Sequence, residues 1–511
     1  MTEIDPNIKP KNKLLVYVVI IVMILAAVGG VVAFHYLYKP AKNVETITIA
    51  APVYYTSSAK WTNYLNNVSK AWEANHPNVK IKFVGPSGAS SESAYYTKLN
   101  LLTESKSTAP TIMLEDMFYT ATYSHSGVLA PLNSYVNSSF TSNIYSSALG
   151  QMTINHTIYG LPAQVTDTLI YYNTSILKEA GIHTPWNPKN WTDIINAAQK
   201  INSTLGSKGV VPINIYQGVK ADEASSFTGF ETMLYGTGNG LYNFSDGKWY
   251  GNNPGLNATL GFYKTVFGKG YAQASLSHTP YVTVGEYMQE GKLGIAIDGS
   301  WMYGYQWAPN GEHPISNFSK YIGVAAVPTE NGQAPYNTTM VGGWGWAMYS
   351  GIPNSEKPIV ASFMKTLDNT TNQITLNLPG QALAGGLPTA KNAVNNSLFK
   401  KLMPTDPYLD TFYANLLKNG HYRPPVATYP KVSYLLQKAM SDVVSGSYSV
   451  STTLSRYSGN INTTLGAGSV SPSISALNAQ NLNYHYNSNN LMLITAMESY
   501  INYNLYNLLL W

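Results

Sequence analysis

The apolar positions of this chain follow three patterns in succession. From Leu14 to Leu37 they form an almost unbroken run, long enough to cross a hydrocarbon core of about 30 Å as a single helix. Lys9, Lys11 and Lys13 precede it, so the positive-inside rule places the tail 1–13 in the cytoplasm and everything beyond a 38–44 linker outside. The run exceeds the roughly 7–15-residue apolar core of a cleaved secretory signal and lacks a small-x-small cleavage site, which favours retention as an anchor. Processing at the Asn12-Lys13 edge is the alternative. From residue 45 short alternating stretches take over. Ile47-Thr-Ile49 reads as a strand and Lys60–Glu73 as a helix stopped before His76-Pro77. Val79, Ile81 and Phe83 then alternate with Asn78, Lys80 and Lys82, the period of a half-buried strand. The unit recurs at Thr111–Leu114, at Thr168–Tyr172 before a helix at Ile176–Ala180, and at Leu293–Ile297 after a helix at Tyr281–Gln289. Short strands alternating with helices predict α/β sheets. The third pattern begins after about Ala467. There a Ser/Asn tract leads to Leu491–Trp511, where Ile494, Met497, Ile501, Leu505 and Leu508 predict an amphipathic helix. That helix would pack on the body, or dock on a membrane surface or partner. The absence of Lys and Arg from it argues against an anionic-lipid surface.

Composition sharpens the picture. With 511 residues the chain needs two or three cooperating domains. Charged residues make up only 11%, against roughly 25% in an average soluble domain. Ser, Thr, Asn and 40 Tyr replace them. Few carboxylates means little differential proton uptake on acidification, so the surface is expected to tolerate an acidic exterior. A net charge of +5 spread over this length, with no Lys/Arg run, excludes nucleic-acid binding as an organising function. The absence of Cys excludes disulfides, thiolate zinc sites and thiol catalysis. N-x-S/T sequons at Asn67, Asn137, Asn155, Asn173, Asn243, Asn257, Asn317, Asn337 and Asn369 agree with an exterior body. No cofactor is implied.

Local motifs come in a telling order. Ala71-Trp-Glu-Ala-Asn-His-Pro77 leads into Val79–Phe83. Ala109-Pro-Thr-Ile-Met-Leu-Glu-Asp116 is followed by Tyr119 and Gly127-Val-Leu-Ala-Pro-Leu132. Tyr159-Gly-Leu-Pro162 precedes Tyr171-Tyr-Asn173, Leu177-Lys-Glu-Ala-Gly181, Thr184-Pro185 and Asn190-Trp-Thr-Asp193. Gly291-Lys-Leu-Gly-Ile-Ala-Ile-Asp-Gly-Ser-Trp301, Val324-Ala-Ala-Val-Pro328, Gly342-Gly-Trp344, Asn354-Ser-Glu-Lys357 and Arg423-Pro-Pro425 complete the series. From about Glu45 to Gly466 this order resembles the extracellular sugar-binding proteins of ABC importers, of the maltose/trehalose-binding type. The resemblance implies a periplasmic-binding-protein-like α/β fold of two lobes joined by hinge crossings, here preceded by one N-terminal transmembrane helix. Lobe 1 would comprise 45–165 and 326–350, and lobe 2 would comprise 166–325 and 351–466, with 467–511 an extension. It further implies a sugar held in the interlobe cleft and delivery to permease subunits driven by cytoplasmic ATPases. No catalytic role is implied.

Matching positions nominate the sugar-binding residues. Asp116 and Tyr119 fall where the family presents an acid and an aromatic, although Asp116 also reads as a helix cap. Trp301 and Trp344 match cleft aromatics and otherwise read as core, and Gly343 would let a ligand approach the backbone. Gln164 and Asp167 lie near an expected crossing, Gln217 in a family block facing the cleft, and Arg423 could fork two sugar oxygens. Trp186 and Trp191 read as packing, with Thr192 a helix cap. Flat aromatics for C–H faces and carboxylate, amide or guanidinium groups for hydroxyls are what sugar recognition requires, since a hydrogen bond to a charged group contributes about 1.5–3 kcal/mol. Tyr119 stands where relatives commonly carry Trp, which leaves the ligand open. A secreted glycoside hydrolase would need two carboxylates from a set such as Asp116, Asp167, Glu286 and Asp298. An oligopeptide receptor would need a charged pocket for chain termini. A purely structural surface protein leaves the cleft motifs unexplained.

Overall fold

A computed structural model describes residues 45–52, 59–85, 92–279, 281–378, 386–402, 408 and 419–472. The run Leu14–Leu37 and the helix expected over Leu491–Trp511 lie outside these residues. Among the described residues no helix is long and apolar enough to cross a membrane.

Two sheets organise the molecule. The first has five strands in the spatial order Val79–Phe83, Glu45–Ala50, Ile112–Asp116, Trp344–Met348, Gly160–Pro162. The first three run parallel, and Trp344–Met348 is antiparallel to both of its neighbours. The second sheet has the order Ile322–Ala325, Thr168–Asn173, Leu293–Gly299, Val211–Asn214. Its central strands are buried along their whole length, as expected of sheets covered on both faces. Only the edge strand Val79–Phe83 keeps an alternating pattern of buried and exposed positions.

Helices form where apolar spacing and caps coincide. Ala59–Glu73 turns Trp61, Tyr64, Leu65, Val68 and Trp72 onto the first sheet. Trp191–Leu205 does the same for the second sheet with Trp191, Ile194, Ala197, Ala198, Ile201 and Leu205. The cap of that helix is Asn190, whose side chain accepts from the Asp193 amide at 3.0 Å, a contact stabilising by about 1 kcal/mol. Thr192, expected as the cap, lies inside the helix, while Trp191 and Trp186 do pack on the second core as expected. Asn173, one of the sequons, is buried and caps the helix Thr174–Glu179, accepting from two amides.

The expected boundary after residue 350 needs correction. Helices Lys357–Leu367 and Thr370–Asn377, assigned by sequence to the second lobe, bury Val360, Phe363, Met364, Leu367 and Leu376 in the first core beside Trp61 and Trp72. Among the described residues the chain joins the second core from Val426, and then through helices Tyr429–Val444 and Val450–Leu465. The body also runs past Gly466, because Val470–Ser471 pairs parallel with Trp249–Tyr250.

Three segments connect the lobes side by side. Thr166 and Gly342 exchange backbone hydrogen bonds of 2.9 and 3.2 Å, and Val165 and Leu387 exchange bonds of 3.0 and 2.7 Å. The hinge is therefore a small piece of sheet in its own right.

Candidate ligand-binding cleft

The candidate cleft lies where the ends of the strands Ile112–Asp116 and Leu293–Gly299 bring Asp116 and Trp301 together through Arg423 and Phe227. The strand Ile112–Asp116 delivers Asp116 to its end, where the Asp116 amide donates to the Tyr96 hydroxyl at 2.6 Å. Asp116 Oδ1 accepts from the Phe118 amide at 3.3 Å, so the residue does cap the turn Met117–Tyr119. The same oxygen accepts from Arg423 Nη2 at 2.6 Å. Capping and cleft roles thus coexist in one carboxylate.

Arg423 is the centre of the site. The strand Gly420–His421, paired parallel with Thr339–Met340, carries it to the hinge. Its Nη1 donates to Glu223 Oε2 at 3.3 Å, and its side chain is 4% exposed. The guanidinium lies between two aromatic rings, 4.2 Å from the Phe118 centroid and 4.5 Å from that of Phe227. Asp116 ends the first-lobe strand Ile112–Asp116 and Phe118 follows it, with the Phe118 ring packed into the second core, while Phe227 and Glu223 come from the second lobe. A Cβ added at Gly342 would stand 2.9 Å from both Arg423 Nη2 and the Phe227 ring, so only glycine fits that crossing.

Trp301 enters from the second lobe. Asp298 accepts from the Tyr216 hydroxyl at 2.9 Å and from the Gly299 amide at 2.8 Å, fixing the end of its strand. The Trp301 ring then folds back so closely over Gly299 that any Cβ there would lie 2.2 Å from it. The indole is half-buried, stacks on Phe227 at 6.4 Å and meets Tyr281 edge-on. Its Nε1–H is buried and has no hydrogen-bond partner among the described residues, a donor that a ligand hydroxyl could satisfy.

Around Arg423 the cleft is acidic. Burial pushes Glu223 up to about 7 against the pull of Arg423, and burial pushes Glu231 up to about 8. Burial also raises Asp116, with Arg423 pulling back, while Asp298 and Glu115 reach about 7 and about 8 for the same reason. Tyr429 donates to Glu231, and Ser433 donates to Glu223 at 2.5 Å. His421, beside the hinge, is held down to about 4 by burial.

Of the sequence-nominated residues, Asp116, Arg423 and Trp301 gather around Phe227, with the Gly343 carbonyl accepting from Met117 N at 3.0 Å. Gln164 and Asp167 are buried hinge residues. A Cβ at Gly343 would collide with the Gln164 carbonyl at 2.1 Å, and Asp167 meets Ser300 through its main chain at 2.8 and 3.3 Å. Gln217 is buried with its amide held by His278, and its Oε1 lacks a hydrogen-bond partner among the described residues. Two nominated aromatics make contacts within the first lobe. Tyr119 stacks on Tyr96 at 3.6 Å and on Tyr123 at 5.6 Å, within an aromatic ladder of the first lobe. Trp344 opposes Asp116 in the sheet register but is buried in the first core. Glu223 and Phe227 carry no local mark in the sequence, whereas Phe118 belongs to the Met-Phe pair that departs from the family pattern between Asp116 and Tyr119.

Two α/β lobes, three hydrogen-bonded crossings and a set of acidic, aromatic and guanidinium groups between the lobes define a hinged solute-binding protein. The chain belongs to the bacterial extracellular solute-binding protein family, whose match covers residues 56–374, a family of binding proteins and not enzymes. A putative binding protein of Brucella abortus is 26% identical over 276 residues, 53% of this chain and 61% of that protein. A maltooligosaccharide ABC transporter solute-binding lipoprotein of Streptococcus pneumoniae is 24% identical over 267 residues, 50% of this chain and 56% of that protein. The matched stretch thus spans about three fifths of these relatives. Maltose-bound MalE3 of T. maritima superposes with a TM-score of 0.67 at 17% identity, covering 82% of this chain and 99% of that one, a likeness of fold.

Proposed function

We propose that this protein is an extracellular receptor that captures a sugar between its lobes and delivers it to the permease of an ABC importer. The observation that supports this most directly is the convergence of Asp116, Arg423, Phe227 and Trp301 from both lobes on one place, with an unsatisfied indole N–H beside it. Aromatic faces and charged hydrogen-bonding groups are the chemistry of a polyhydroxyl ligand. The maltooligosaccharide and maltose named for two relatives agree with that chemistry. A ligand touching both lobes favours the closed arrangement by its differential contacts, and the closed form is what a permease would recognise. Asp116, Trp301, Arg423 and the Gly343 backbone are the proposed contacts, with Gln164, Asp167 and Gln217 supporting the hinge and the second-lobe wall. Leu14–Leu37 is proposed as a single-pass tether holding the body outside the membrane, beside its permease.

The test is calorimetry on the full chain in mild detergent against glucose, galactose, maltose, trehalose, cellobiose, arabinose and a short peptide, with products checked by chromatography. Stoichiometric micromolar binding of one sugar without turnover, lost in Trp301→Ala, is the expected result. Binding of the peptide alone, or cleavage of a disaccharide, would replace this reading with a peptide receptor or a hydrolase.

A further inference from the structure

We propose that Arg423, Asp116 and Glu223 form a charge filter, which admits uncharged solutes to the cleft and rejects those bearing a carboxylate or phosphate. This rests on the sugar-receptor reading and narrows it. A buried arginine in a binding cleft ordinarily invites anions, because its planar fork matches carboxylate and phosphate geometry. Here the fork is already committed. Nη2 holds Asp116 at 2.6 Å, Nη1 holds Glu223 at 3.3 Å, and the Phe118 and Phe227 rings cover the guanidinium at 4.2 and 4.5 Å.

Two carboxyl groups therefore share one cation, and a third, Glu231, lies one hydroxyl away, bonded to Tyr429, which itself reaches Glu223 at 3.4 Å. The imidazoles nearby supply no compensating charge. Burial holds His421 in its neutral form, and burial reinforced by Lys220 holds His278 down. An incoming carboxylate that took the Nη1 or Nη2 contact of Arg423 would displace Glu223 or Asp116. That would leave a buried carboxyl without its cation, the costly way to break a buried ion pair. A neutral hydroxyl asks for no such exchange, since it can donate to the same carboxylates while Arg423 stays in place. The discrimination is built from the internal pairing of the site and not from its shape. An otherwise well-fitting uronic acid is thus rejected for one functional group.

Matched sugars test the filter on the full chain at about pH 8, above the value of about 7 to which burial raises Glu223: glucose against glucuronate and glucose 6-phosphate, galactose against galacturonate, maltose against maltobionate. The expected result is that the neutral member of at least one set binds and its anionic partners bind roughly 100-fold or more weakly. In Glu223→Gln the guanidinium loses one of its two anions, and the neutral-to-anion ratio should contract at least about tenfold. Asp116→Asn should contract it as well. Reading the ratio within each variant separates a filter from a residue that merely holds the cleft together, since general loosening weakens both ligands alike. Anions binding the native chain as well as neutral sugars do, or an unchanged ratio in both variants, would overturn the filter while leaving the sugar receptor standing. Failure of every sugar to bind would overturn both.

Discussion

Arg423 ties the two halves of the cleft together through a single side chain. It joins two carboxyls and two aromatic rings contributed by opposite lobes, at 4% exposure. Removing it leaves Asp116 and Glu223 buried without their cation, a loss on the order of 3 kcal/mol. The loss should itself depend on pH. Both carboxyls are already pushed upward by burial, and without Arg423 they rise further, so acid relieves them by protonation. Urea unfolding of Arg423→Ala is expected to show the full deficit near pH 8 and a much smaller one near pH 5. An equal deficit at both would mean that the contribution is packing against Phe118 and Phe227. None of this was legible in the sequence beyond the nomination of Arg423 and Asp116 as separate candidates. They stand 307 positions apart, with Glu223 between them in sequence and 200 positions from Arg423, and no local pattern encodes such meetings.

At the scale of elements the sequence was far more informative, because a strand or helix is specified by its own neighbours. The alternation at Val79, Ile81 and Phe83, the stretch at Leu293–Ile297 and the helix at Tyr281–Gln289 all fall inside observed elements. What local pattern does not state is which of two similar cores an amphipathic helix will join, and Lys357–Leu367 was misplaced for that reason. Tyr119, nominated as a cleft aromatic, stacks on Tyr96 and Tyr123, company that no local pattern announces. The crossings were anticipated as places but not as a bonded sheet. Gly343, at φ +153° and with a Cβ position 2.1 Å from the Gln164 carbonyl, is their tightest point. Gly343→Ala should force the crossings apart and cost about 1–3 kcal/mol, read as a shift of the urea midpoint. A neutral Gly343→Ala would show that the hinge segments can separate freely.

Across the whole molecule the scarcity of surface charge contrasts with the number of carboxyls placed inside. Glu115 and Glu231 are raised to about 8, Glu223 and Asp298 to about 7, and Asp368 well above its ordinary value, in each case first by burial. A raised carboxyl means that the folded chain holds a proton the unfolded chain has released, from the ordinary value up to the folded one. Stability from these groups is therefore greatest on the acid side and is lost as pH rises through about 7 to 8. His421 works in the opposite sense below its ordinary value of 6.5, because it must stay neutral in the folded state. The carboxyls outnumber it. Melting temperature is expected to climb as pH falls from about 8 toward the ordinary carboxylate value of 4.5, less steeply once His421 begins to oppose it below 6.5, and to flatten beyond that. A maximum near pH 8 would contradict both this balance and the acid-tolerant exterior expected from composition.

The order in which the chain supplies the two sheets bears on how the protein can be made. Trp344–Met348 sits between Ile112–Asp116 and Gly160–Pro162, so Gly160–Pro162 has no neighbour in the first sheet to join until nearly two hundred later residues have been synthesised. The second core in turn waits for Tyr429–Val444 and Val450–Leu465. Neither lobe is a contiguous stretch that could fold while the rest is still being synthesised. A chain exported from its N-terminal end would emerge largely unstructured and become compact late, in one step involving both lobes. A receptor wired this way cannot be trimmed to a single working lobe.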